Sequence, residues 1–271
     1  MAARVHIGTQ GWRYDAWVGP FYPPGTRPDD FLKIYARAFD TVEVDSTFYA
    51  IPEAKTVQGW AKRTPAGFTF ALKLPQEITH ERRLRGCRDV AGQFFDVARE
   101  LGPKLGPILM QLGPDFGPAA RELPALEAFL DLVPSDVRLA VEFRQPGWIG
   151  DRVLGVLRAH RAALALTDGP WVPRKTMLAL AATPTADFAY LRWMGADRSI
   201  EDYSKIQLDR TRELEGWSVA ILEMLQRVTE VHGYVNNHFA GHSPHSAREL
   251  QRLLGGKAVE PDQLGEQTSL F

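Results

Sequence analysis

The sequence predicts a single (β/α)8 TIM-like barrel of the α/β class, and three observations carry that prediction. Short apolar runs alternate with amphipathic helical patterns along nearly the whole chain. Such strand–helix repetition implies parallel strands joined by right-handed crossovers. Eight strands in about 250 residues is the size of a closed barrel. An open dinucleotide-binding sheet is the alternative, but "IGTQGW" after the first strand lacks the GxGxxG spacing.

The strand candidates, in order, are residues 4–9, 40–46, 68–74, 107–113, 138–144, 163–168, 188–194 and 232–237. Helical periodicity occupies 27–39, 54–63, 89–102, 122–133, 151–160, a long segment near 207–230, and 246–254. Pro28 followed by Asp29 and Asp30 marks one helix start. "GPWVPRKTMLALAATPTAD", between the sixth and seventh strands, shows no clear helix, so that crossover is expected to be irregular. The barrel domain spans residues 1–255, and residues 256–271 read as a flexible tail.

The 271 residues are 45% hydrophobic and 24% charged, with a formal net charge of -1, so no global field draws the chain to nucleic acid or membrane. Anion binding would need a local patch. Cys87 is the single cysteine, which excludes an intrachain disulfide and suits a reducing compartment. Arg85 and Arg88 flank it and favour a thiolate, but an isolated cysteine is more often packing. "MAARVHIGTQ" has no signal-peptide apolar region and no apolar run reaches membrane-spanning length, so a cytoplasmic location is expected.

Side chains alternate along a strand, so parity sorts them. Val42 and Val44 oppose Glu43 and Asp45; Phe70, Leu72 and Leu74 oppose Ala71 and Lys73. Ile108, Met110 and Leu112 oppose Leu109 and Gln111; Leu139, Val141 and Phe143 oppose Ala140, Glu142 and Arg144. Leu191 and Trp193 oppose Tyr190 and Arg192. Each strand thus has an apolar face for the helices and a second face that turns polar at its C-terminal end, where barrel enzymes carry their chemistry. The plain structural alternative is an ion-pair network bracing the rim.

These residues form the candidate catalytic set. Glu43, Glu142 and Asp168 suit general acid–base work or metal ligation, while Lys73, Arg144 and Arg192 suit an anionic group or developing charge. Three cations beside the acids favour phosphate or carboxylate substrates over plain glycosides. Trp12, Tyr14, Phe48, Tyr49 and Trp148 in the loops offer stacking surfaces, with packing as the competing role. "THERRLRGCR" gathers His80, Arg82 and Arg83 into either a phosphate patch or a solvated helix start. His238 and His242 have helical metal-ligand spacing, but Gly241 and Pro244 argue for a loop; no cofactor is evident, and a divalent metal is left open.

The segments "IGTQGWRYDAWVGPFYP", "FDTVEVDSTFYAIP", "TPAGFTFALKLPQEITH", "LGPILMQLGPDF", "LAVEFRQPGWI" and "GYVNNHFAG" resemble, in order, the motifs of the YecE-like family, domain of unknown function seventy-two. The resemblance spans residues 4 to 254 and implies a TIM-like barrel without an established reaction. It also implies a shared site that includes Gln111, Asn236 and Asn237 beside the residues above. Two positions depart from the family pattern: Asp45 stands where it has asparagine, and His238 where it has an acid. The terminal "QTSLF" looks like the peptide by which bacterial replication and repair proteins dock on the sliding clamp, with Gln267, Leu270 and Phe271 as anchors. Three functions are therefore in play: a DNA-associated phosphodiester hydrolase or repair factor, an enzyme of a sugar or small phosphorylated or carboxylated metabolite, and a non-catalytic nucleic-acid-binding module.

Overall fold

A computed structural model of the chain describes residues 3–196 and 198–265. Its strands are β1 (Arg4–Thr9), β2 (Thr41–Val44), β3 (Thr69–Lys73), β4 (Leu105–Gln111), β5 (Leu139–Glu142), β6 (Ala163–Asp168), β7 (Phe188–Trp193) and β8 (Glu230–Val235). All ladders are parallel, in the order β1-β8-β7-β6-β5-β4-β3-β2, so the expected eight strands form one near-closed TIM-like barrel. The helices are α1 (Phe31–Ala38), α2 (Ala54–Lys62), α3 (Arg88–Arg99), α4 (Glu122–Leu130), α5 (Asp151–Ala159), α6 (Arg174–Leu180), α7 (Thr211–Met224), α8 (Asn237–Ala240) and α9 (Ser243–Leu253).

Three boundaries depart from expectation for local reasons. The crossover between β6 and β7 is helical after all: α6 is only 7 residues long and buries Met177 alone, too little to leave a periodic pattern. The long seventh segment is shorter, ending at Met224 because β8 begins at Glu230. Pro244, read as a loop signal, lies in the first turn of α9, where its missing N–H costs nothing.

Strand parity holds where it was drawn. The outward residues Phe70, Leu72, Met110, Val141, Leu191 and Trp193 join the large core between sheet and helices. A separate inner cluster contains Ala71, Leu109, Ala140, Ala163, Ala165, Phe188, Tyr190 and Tyr234. Alanines on β3, β5 and β6 make room for the tyrosines of β7 and β8, whose rings lie 5.2 Å apart. The barrel is therefore a packed plug whose polar layer sits on top.

The seam between β1 and β2 is closed by a side chain. A single backbone bridge joins Gln10 to Glu43. Below it, the Tyr35 hydroxyl from α1 accepts from the Thr9 N–H at 2.9 Å and donates to the Thr41 carbonyl at 3.0 Å. Inside the barrel, the Thr41 and Tyr234 hydroxyls pair at 2.8 Å across the same seam. Gly8 is what lets these groups meet, because a Cβ there would collide with the Thr41 carbonyl oxygen and crowd the Tyr35 hydroxyl.

The tail expected from residue 256 runs back along the barrel as far as it is described. Arg252 pairs with Glu260, and Leu264 is buried beside α1. Gln267, Leu270 and Phe271 lie outside the described residues, and with them the clamp-like peptide. Among the described residues no helix is long and apolar enough to cross a membrane.

Gly8→Ala is expected to destabilise the fold by about 2 kcal/mol or more, since the seam cannot widen without breaking the Tyr35 bridge. A urea-denaturation midpoint unchanged from the parent chain would refute this account of the closure.

Candidate functional site

The polar layer is organised by Arg192, which β7 points into the barrel where water does not reach. Its guanidinium forks onto Glu43, with Nε to Oε2 at 2.9 Å and Nη2 to Oε1 at 2.7 Å. Its third nitrogen, Nη1, holds Glu142 Oε2. The Tyr190 hydroxyl, one layer down the same strand, donates to Glu43 Oε2 at 2.6 Å. Burial works against the Arg192 charge, but Glu142, Glu43 and Asp45 outweigh it and hold the guanidinium protonated. The two glutamates are driven apart. Burial pushes the Glu43 carboxyl above its usual range despite Arg192, whereas burial of Glu142 is outweighed by Arg192 and Arg144, which hold it below.

Around this brace stand cations with donors to spare. Arg144 Nε reaches Glu142 Oε1 at 2.9 Å and Nη2 reaches Gln111 Oε1 at 2.7 Å, while the guanidinium plane lies 3.8 Å from the Trp171 ring centroid. Among the described residues Nη1 has no hydrogen-bond partner. Lys73, at the end of β3, is only 7% exposed, yet no described residue offers its ammonium a hydrogen-bond acceptor. It lies 3.9 Å from the Phe48 ring centroid and 4.0 Å from Asp45 Oδ1. Burial, aided by the Arg192 charge and opposed by Asp45, lowers its pKa to about 8. His80 stacks edge-on against Phe48, its Nδ1 paired with Thr79 Oγ1 at 2.8 Å. Burial and the charges of Lys73 and Arg144 push its imidazole pKa below the ordinary value. Gly113 allows that packing, since a Cβ there would press on the His80 ring.

The structure thus brings together Glu43, Asp45, Phe48, Lys73, His80, Gln111, Glu142, Arg144 and Arg192. Tyr14 closes one side: its hydroxyl donates to the Gln10 carbonyl at 3.0 Å, and burial with the Asp45 charge raises its pKa. Asn236 joins the rim through Gln10 Oε1 at 2.7 Å. Tyr49 is exposed beside Phe48. Tyr190 and Arg198 were not singled out by the sequence; the charge of Arg198 adds to the field on Arg144.

Other expected site residues do different work. Asp168 points outward from β6, where its Oδ2 accepts from Arg174 Nε at 2.6 Å and Trp217 Nε1 at 2.8 Å; it ties two helices to the strand. Trp148 is fully buried between Phe116 and Phe143, with Nε1 donating to the Phe116 carbonyl. Trp12 packs edge-on against Trp60 and Phe70 of the outer core. Asn237 Oδ1 accepts from Ser243 and Trp17 and joins α9 to the loop after β1. Arg82 pairs with Glu77, and Arg83 with Asp115 and the buried Glu122. The arginine-rich segment is therefore largely tied up in ion pairs, anchored on the buried Glu122. His238 and His242 both meet Tyr203, one at its hydroxyl and one at its carbonyl, rather than each other. Among the described residues no group of three or more His, Cys, Asp or Glu is arranged to hold a metal ion. Cys87 is buried, and burial raises its thiol pKa, in keeping with a packing role.

Two outcomes follow from the brace. Arg192→Met strands two buried carboxylates and is expected to cost about 3–5 kcal/mol in equilibrium unfolding. Lys73 acts in the opposite sense. Between pH 8 and its ordinary 10.5 the unfolded chain holds a proton that the folded chain has lost, so this group makes stability rise with pH. Stability of the parent relative to Lys73→Met should therefore increase by up to about 3 kcal/mol across that window. The comparison cancels the tyrosines. A flat difference would mean that Lys73 is not held in a charge-averse setting.

Comparison with known proteins places this geometry in a family. The model of the protein of unknown function DUF72 matches residues 6–268. The chain is 37% identical over 142 residues to the UPF0759 protein YecE of Escherichia coli strain K12, a stretch covering 52% of this chain and 49% of that one, so the match spans about half the length of that relative. It is 26% identical to YunF of Bacillus subtilis, covering 92% of this chain and 94% of that one. A solved DUF72 family protein from Thermotoga maritima superposes with a TM-score of 0.78 at 26% identity, over 93% of this chain and 99% of that chain. The eight-stranded barrel and the match along nearly its whole length make the chain a member of the DUF72 family.

Proposed function

We propose that the barrel mouth is the active site of an enzyme acting on a small metabolite that carries a carboxylate or phosphate. One observation carries this reading: two cations, Lys73 and Arg144, keep hydrogen-bond donors free near His80, above a layer whose buried acids are already engaged by Arg192. Bound anions gain most from donors that are pre-placed and desolvated. Phe48 and Trp171, already stacked under the two cations, supply apolar walls for the rest of a small ligand. Glu43 and Glu142 sit on opposite sides of the usual carboxyl range, the arrangement by which one site offers both an acid and a base.

A DNA-associated hydrolase is the weaker reading. It drew on the arginines after β3, and Arg82, Arg83 and Arg85 are engaged by Glu77, Asp115 and Glu122. Although Arg82 and Arg85 stay exposed, these acid partners reduce the net charge the segment offers to a phosphate backbone.

Isothermal titration with inorganic phosphate, oxalate and a double-stranded oligonucleotide at low salt separates the two. Phosphate or oxalate is expected to bind, with affinity falling about tenfold or more in Lys73→Met and in Arg144→Met, as for loss of a charge-assisted hydrogen bond. Binding of the oligonucleotide alone, with steep salt dependence, would favour the DNA reading instead.

A further inference from the structure

We propose that Lys73 is an amine nucleophile that forms an imine with a small carbonyl compound bearing a carboxylate or phosphate, the inference resting on the anion-binding reading of the mouth. The geometry of its amine is unlike that of a structural lysine. Lys104 shows what a structural lysine looks like in this chain: its Nζ donates to the carbonyls of Ala61 and Thr64 and to Thr64 Oγ1 at 2.5, 2.6 and 3.0 Å. The Lys73 side chain is buried more deeply, and its Nζ has none of these partners among the described residues. It sits on the Phe48 face with its nearest carboxylate 4.0 Å off, beyond hydrogen-bond range. A buried ammonium without acceptors is costly, and the cost falls if the group is neutral or becomes part of a larger, delocalised cation.

The neighbours supply what imine formation requires. Asp45 Oδ1 is buried without a hydrogen-bond partner, 4.0 Å from Lys73 Nζ and 3.8 Å from Arg192 Nη2. His80 packs on the same Phe48 ring and feels the charges of both Lys73 and Arg144, so an anionic group held there would lie near the amine. Phe48 beneath Nζ shields the product from water and stabilises an iminium through its ring face. The amine's lowered pKa, about 8, leaves roughly a tenth of it neutral at pH 7.

The step balances without any further reagent. The neutral Lys73 amine adds to the carbonyl carbon, and the carbonyl π electrons move to oxygen. A proton passes from nitrogen to that oxygen by way of Asp45, giving a carbinolamine. The carbinolamine then loses its hydroxyl as water by taking back, through Asp45, the proton that the Lys73 ammonium gave up on becoming neutral, which leaves the protonated imine on Nζ. Small 2-oxo acids and phosphorylated ketoses or aldehydes are the substrate class.

Borohydride trapping tests the inference. The full chain is incubated with pyruvate, glyoxylate or dihydroxyacetone phosphate, reduced with sodium borohydride and mapped by peptide mass spectrometry. The expected result is one reduced adduct, on the Lys73 peptide, absent from Lys73→Arg, with trapping that quickens as pH rises toward 8. The remaining lysines serve as the internal control. Adducts spread evenly over surface lysines, or none at Lys73 while phosphate or oxalate still binds, would overturn the imine and leave the anion site standing. Absence of both adduct and anion binding would overturn both. Circular dichroism of Lys73→Arg confirms that a lost adduct is not lost folding, and the wild-type peptide map is decisive without it.

Discussion

One guanidinium sets the terms at the barrel mouth. Arg192 occupies all three of its nitrogens on Glu43 and Glu142 and lies within 3.8 Å of Asp45. A buried carboxylate is stable only with a partner of fitting shape, and a planar fork meets two carboxylates at once where a lysine ammonium would meet one. The brace has no room for an alternative. Glu43 is held by Arg192 from above and by Tyr190 from the barrel plug, so the inner packing of β7 and β8 fixes the acid as firmly as the ion pair does. The alanines that admit Tyr190 and Tyr234 thereby position a polar group one layer higher.

Charge at the mouth then divides into two kinds. Arg192 is consumed by structure, while Lys73 and Arg144 are only partly used. Because Arg192 already engages both glutamates, Glu142 takes up only one nitrogen of Arg144 and neither glutamate draws Lys73 into a hydrogen bond. Instead Lys73 rests on an aromatic ring and Arg144 stacks on another, contacts that hold direction without occupying every donor. A buried brace is poor evidence of stability in general. Here its consequence is local: it keeps the neighbouring cations available.

Much of this was legible in strand alternation. A period of two leaves no freedom once one face is apolar, so Glu43, Lys73, Gln111, Glu142 and Arg192 fell on the inner face from sequence order alone. Asp168 shows where attention to residue type misled. The same alternation sets it with Leu164 and Leu166, and the acid at a strand end was taken for a rim group although its parity was outward. Loop residues had no such rule. Trp148, Asn237 and Arg83 are anchored by partners more than 30 residues away or by a helix start that no local pattern announces; Glu122, which recruits Arg83 and Arg85, looks in sequence like any acid in a first helical turn. The β1–β2 seam was likewise hidden, because its hydrogen bonds come from Tyr35, a core residue by every sequence criterion.

Asp45 joins these threads. The acid stands where the resembling family pattern has asparagine, and it touches neither Arg192 nor Lys73 at hydrogen-bond distance. Its charge favours the protonated amine, opposing burial and Arg192. An amide at the same position would remove that opposition and leave Lys73 more neutral, but it would also remove the carboxylate that, among the described residues, lies within 4.0 Å of the amine. The two effects pull reactivity in opposite directions: more free amine with asparagine, better proton transfer with aspartate. Which one governs depends on whether addition or dehydration limits the rate: addition draws on the free amine that asparagine would favour, whereas dehydration needs a proton donor beside the departing oxygen, a role an aspartate can fill and an asparagine cannot.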